Sequence, residues 1–146
     1  MPNNQFKKSE LYSFITGVAN TAIARRLQKK FNQAEISLTI EQWSVLYHLW
    51  KADGISQQDL CKASFRDRPS ITRLVDNLEK AGLVKRVADK EDRRKNMIHL
   101  TEKAKKMEGL CYQLAEETVE EAVKGVSYQQ LETAKQVLKL VYENLK

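Results

Sequence analysis

The chain has 146 residues, enough for one domain, and its 42% hydrophobic and 30% charged residues suit a folded protein rather than a disordered one. No run reaches the ~18 apolar residues of a membrane span, and the opening MPNNQFKKSELY lacks the apolar core of a secretory signal, so a cytoplasmic location with no membrane partner is expected. The net charge of +6 is concentrated: residues 64–106 hold 13 Lys/Arg against 7 Asp/Glu, while the remainder balances at 12 against 12. That centre fits either a polyanionic partner or a solvated charged face.

Five glycines and two prolines favour helices over a sandwich or barrel. A first helix is expected over about residues 9–31, where Leu11, Phe14, Ile15, Val18, Ala22 and Ile23 recur at helical spacing. Thr39 and Gln42 form a capping-box pattern that opens a second helix, with Trp43, Leu46, Tyr47 and Trp50 on one face. Gly54 suits the left-handed position that closes it. Ser56 opens a short third helix carrying Leu60, Cys61 and Ala63, with both Leu60 and Cys61 expected inside. A fourth helix spans about 69–80, with Asp67 as cap and Pro69 tolerated in its first turn. Its Ile71, Leu74, Val75 and Leu78 make one apolar stripe, and Gly82 ends it. Residues 83–87 and 96–100 have strand character around a polar tip at 89–95. Thr101 is a good cap for a fifth helix to about residue 124. Ser127 and Gln130 form a second capping box, and the last helix carries Leu131, Ala134, Leu138, Val141 and Leu145 at alternating spacings of three and four. The predicted class is mainly α, in the order α-α-α-α-β-β-α-α.

The third and fourth helices are joined by the short polar stretch 64–68 (SFRDR), which is helix-turn-helix spacing. In that motif the second helix enters the major groove. With the 71/74/75/78 stripe turned inward, Arg68, Ser70, Thr72, Arg73, Asp76 and Asn77 fall on or near the outer face. Arg can grip guanine O6 and N7, and Ser or Thr can reach bases or phosphates. Taken alone, the same pattern fits an ordinary surface helix equally well. The hairpin that follows carries Arg93, Arg94 and Lys95 at its tip, and arginine suits the negative potential of a narrow minor groove. Asp89, Glu91 and Asp92 share that loop, and one of them is expected to pair with and orient an arginine.

Residues 71–86 (ITRLVDNLEKAGLVKR), followed by Asp92, Arg94, Leu100 and Thr101 in the pattern Asp-x-Arg then Leu-Thr, resemble the MarR family of regulators. The resemblance extends over nearly the whole chain. It implies a winged helix-turn-helix protein that binds pseudo-palindromic double-stranded DNA as a homodimer, often as a repressor released by a small-molecule effector. It places Arg68, Pro69, Ser70, Thr72 and Arg73 at the major groove, with Asn77 beside them. Arg94 falls at the minor groove with Asp92 as its orienting partner, flanked by Arg93 and Lys95. Pro69 departs from a phosphate-binding role, because it has no backbone N–H to offer. The expected organisation is one domain over 1–146, with a DNA-binding lobe at 36–100 and dimerisation helices at 1–35 and 101–146. The apolar seam of the last helix, together with the first helix, suits a self-complementary interface.

Family members often bind an effector between the dimerisation and DNA-binding regions, and Tyr12, Trp43, Tyr47, Trp50 and Tyr112 are the candidate pocket walls; ordinary aromatic core is the competing explanation for each. Cys61 and Cys111 belong to no CxxC pair, and His48 and His99 show no ligand spacing, so neither redox sensing nor a metal or other cofactor is expected. Catalytic motifs are absent: there is no phosphate-binding glycine loop, GxSxG or HExxH, and no enzyme activity is expected. Two rival classes are an interaction module that has lost DNA binding, disfavoured by Arg68 and Arg73, and a helical-bundle enzyme or binder, which has no use for a basic wing.

Overall fold

Thr39 stands at the start of a helix for a simple reason. Its hydroxyl accepts from the Gln42 N–H, and the Gln42 side chain accepts from the Thr39 N–H, so two orphan donors are satisfied at once. A computed structural model describes Ser13 and residues 17–146. Its helices are α1 (Ala19–Gln33), α2 (Ile40–Lys51), α3 (Gln57–Ser64), α4 (Arg68–Lys80), α5 (Glu102–Ala122) and α6 (Tyr128–Leu145). Three strands, β1 (Ile55–Ser56), β2 (Val84–Ala88) and β3 (Asn96–Leu100), form one antiparallel sheet in the order β1-β3-β2. The molecule is mainly α, with the winged helix-turn-helix order expected from the sequence and one addition. The addition is β1, where Ile55 pairs with Ile98 and Ser56 with Met97. Two residues are too few to leave a periodic signature.

The chain divides into two compact units, one of residues 27–115 and one joining the described residues up to Arg26 with 116–146. The first therefore takes in the 36–100 range together with the adjoining ends of α1 and α5. Its core collects Phe31, Leu46, Leu49, Leu60, Leu78 and Ile98, all fully buried, among others. The α4 stripe behaves as its spacing demands, with Ile71, Leu74, Val75 and Leu78 all buried. In α2 the inward face is Val45, Leu46 and Leu49, and Trp43 and Trp50 pack only partly buried at its edge. The predicted inward face is thus rotated toward the aliphatic residues, which leave no polar atom to satisfy; the indoles must accommodate an N–H each. Trp50 Nε1 donates to the Ala104 carbonyl at 3.1 Å.

The wing is anchored at both ends. Gly54 adopts φ +73°, and its N–H donates to the Ile98 carbonyl. The Leu100 N–H donates to Asp53 Oδ1 at 2.8 Å. Thr101 Oγ1 accepts from the Ala104 N–H and donates to the Gly82 carbonyl at 2.7 Å, so the hydroxyl caps α5 and ties it to the loop entering β2. This is the physical content of the Leu-Thr pair.

In the second unit Thr118 is buried and Arg26 Nη1 lies 3.2 Å from Glu121 Oε2. α6 opens with the Ser127–Gln130 capping box, as its sequence predicts, and buries none of its residues. Leu11, Phe14, Ile15 and Tyr12 lie outside the described residues. No helix among the described residues is long and apolar enough to cross a membrane.

Candidate nucleic-acid interface

Burial of one face of α4 decides what its other face offers. With the 71/74/75/78 stripe in the core, Arg68, Pro69, Thr72, Arg73 and Asn77 line a single open face, joined by Asp76 and Lys80. Arg68, Arg73 and Asn77 are exposed, and Thr72 is half-buried. Asp67 caps the helix as predicted, its Oδ1 accepting from the Ser70 N–H at 2.8 Å, and that bond holds the carboxyl below its ordinary range. Ser70 is half-buried beside this cap and does not line the open face with the other five. α3 ends on Phe65 in the left-handed conformation, φ 55°, which gives the sharp turn into α4.

The wing brings its cations back toward that helix. Arg94 and Lys95 share with Arg68 a cleft of about 410 Å³, whose floor includes Gln57 and Cys61. Asp92, Arg93, Arg94 and Lys95 are all exposed. Asp92 bonds to backbone: its Oδ1 accepts from the Arg94 N–H at 3.0 Å, and its carbonyl accepts from the Lys95 N–H. The carboxylate therefore shapes the turn that presents Arg94, and the guanidinium has no ion pair with it in this state. Arg93 lies at the tip, outside the cleft.

Two participants escaped the sequence. Gln57 Nε2 donates to Thr72 Oγ1 at 2.7 Å, which leaves the Thr72 hydroxyl hydrogen to point elsewhere. Arg86 in β2 reaches across to α4, where it meets Asp76, Glu79 and the Thr72 carbonyl. Nothing in local spacing signals contacts between residues 7 to 15 positions apart on different elements. Cys61 was expected inside and is instead half-exposed at the cleft, because Leu60 takes the inward position of so short a helix. Cys111 is fully buried, and burial pushes its thiol up to about 11.

Four of the five aromatic candidates meet. Trp43 contacts Tyr47 at a centroid distance of 5.7 Å, and Tyr112 lies 5.8 Å from both Tyr47 and Trp50. Lys51 Nζ sits 4.2 Å above the Tyr47 ring. The Trp43 indole N–H is buried with no hydrogen-bond partner.

The chain is similar to known proteins in sequence and in fold. Residues 38–95 match the family model described as MarR family. The HTH-type transcriptional regulator TtmR of Methylorubrum extorquens (strain PA1) is 36% identical over 76 residues, which is 52% of this chain and 39% of that protein. The chain thus matches well under half the length of that relative. A probable transcriptional regulator from Pseudomonas aeruginosa superposes with a TM-score of 0.80 at 26% identity, covering 92% of this chain and 99% of that one. S. aureus MepR, in a structure of its DNA complex, superposes with a TM-score of 0.81 at 27% identity, covering 97% of this chain and all of that one.

Proposed function

We propose that this chain, whose residues 38–95 match the MarR family model, is a transcriptional regulator of that family that binds pseudo-palindromic double-stranded DNA as a homodimer and acts as a repressor. The observation that carries this is the convergence of Arg68 from α4 with Arg94 and Lys95 from the wing around one cleft, beside the open face of Arg73 and Asn77. The open face carries side chains able to read base edges in a major groove, and an arginine on the wing suits an adjacent minor groove. The DNA-bound state of MepR, a protein of the same fold, supports the reading.

A homodimer explains α6. An 18-residue helix with Leu131, Val137, Leu138, Leu140 and Leu145 exposed leaves an apolar surface that a second copy would cover. Two α4 helices would then meet half-sites about 34–36 Å apart. For the effector, the Trp43–Tyr47–Tyr112–Trp50 cluster is the favoured wall, supported by the unpartnered Trp43 N–H, which a ligand acceptor would satisfy.

The test is a fluorescence-anisotropy titration of the protein against duplex DNA from upstream of its own gene and against scrambled duplex, at several salt concentrations. Tight, salt-sensitive binding that prefers the upstream duplex is expected. Equal affinity for both duplexes, or none for either, contradicts the proposal.

A further inference from the structure

A DNA-reading face that carries carboxylates needs a device to keep them from repelling phosphate. Asp76 lies on the open face of α4 with Arg73 and Asn77, and Glu79 follows one turn on. Arg86, in the middle of β2 and paired in register with Ile98, engages both. Its Nη2 lies 2.6 Å from Asp76 Oδ1, and its Nη1 donates to Glu79 Oε1 at 3.1 Å. Nη2 also donates to the Thr72 carbonyl at 3.4 Å, and the Arg86 backbone N–H donates to Glu79 Oε2 at 3.2 Å. The side chain is only 20% exposed, while the two carboxylates are 49% and 44% exposed. The guanidinium is thus consumed inside the protein, although by charge alone it counts with the DNA-facing cations.

We infer that Arg86 masks charge at the interface: it offsets the Asp76 and Glu79 carboxylates beside the DNA. This rests on the proposed DNA-binding function and adds a part to it. With Arg86 present, the three groups carry one net negative charge in place of two. Each unmasked carboxylate near a phosphate opposes binding whatever the base sequence. A role in masking charge therefore predicts an effect shared by specific and scrambled DNA. It also predicts that the effect vanishes when the carboxylates are neutralised.

The full-length protein and three variants, R86Q, D76N/E79Q and the triple R86Q/D76N/E79Q, would be titrated by anisotropy against the upstream duplex and a scrambled one. Circular dichroism would be recorded on each. R86Q should raise Kd for both duplexes by about tenfold or more, and the triple variant should return to within about threefold of the parent. D76N/E79Q in the parent background should bind as tightly as the parent or tighter. Parental affinity in R86Q, or a triple variant as weak as R86Q, overturns the role assigned to Arg86 and leaves DNA binding intact. If R86Q does not fold, D76N/E79Q decides: a loss of about tenfold or more overturns the inference, since pairing would then matter for geometry alone. A parent that binds no duplex refutes the DNA-binding function itself.

Discussion

The proposed function assigns Arg73 and Arg94 different parts in recognition. Arg73 is exposed on the open face of α4, where a guanidinium can grip a guanine edge through two hydrogen bonds. Arg73→Ala should reduce discrimination between the upstream and single-base-altered duplexes by about 1–3 kcal/mol, read by competition titration. Arg94 is presented by the turn that Asp92 shapes, and its removal should weaken binding to all duplexes and lower the slope of log K against log salt by about one unit per site. The two thiols should also separate. Cys61 is half-exposed and Cys111 is buried with its thiol raised to about 11, so an aromatic disulfide reagent should titrate Cys61 in the native protein and reach Cys111 only on unfolding. Burial, and then the Lys51 charge, lower the His48 pKa from 6.5. The neutral imidazole is favoured in the fold, so this contribution to stability is fully present above pH 6.5 and lost as pH falls below it through the lowered folded value. His48→Gln should flatten the pH dependence of the urea midpoint below 6.5.

At the scale of elements, the wing depends on a joint at its base. Gly54 has φ +73°, and a Cβ there would lie 2.8 Å from His99 Cε1. Gly54→Ala should cost about 1–2 kcal/mol from the left-handed backbone, with a further penalty from displacing the His99 ring, measured by urea denaturation. Much of this level is legible in the sequence. The two capping boxes, the Asp67 cap, the α4 stripe and the left-handed Gly54 are local patterns, decided within about four residues. What the sequence hides is tertiary. The strand β1 exists only through its pairing with β3. The Gln57–Thr72 bond and the Arg86 cluster join elements whose approach no local spacing encodes. For the same reason Arg86 counts toward a basic DNA-facing centre in the sequence, and the fold assigns it to two carboxylates instead. The α2 face differs because periodicity alone cannot rank Trp43 and Trp50 against Val45 and Leu49 on neighbouring arcs of one helix.

For the whole molecule, the question is what covers α6. Leu131 and Leu138 stand one above the other two turns apart on its exposed surface, on the seam of three-and-four spacing seen in the sequence. If α6 forms the proposed homodimer interface, Leu131→Lys with Leu138→Lys should turn a parent that scatters light as a dimer into a monomer. Operator affinity should fall more steeply than affinity for scrambled DNA, because only the dimer can engage two half-sites together. A double variant that stays dimeric would place the interface elsewhere.

The central claim, that α4 and the wing grip DNA from one side of each protomer, is tested most directly by footprinting the upstream duplex with dimethyl sulfate, which reads guanine N7 in the major groove, and with hydroxyl radical, which reads the sugars along the minor groove. The predicted pattern is two protected major-groove segments about 10 base pairs apart, each flanked on its outer side by a protected minor groove. In the Arg94→Ala protein the outer flanks should become reactive while the two inner segments stay protected. No protection at any protein concentration, or flanks that survive the loss of Arg94, would contradict it.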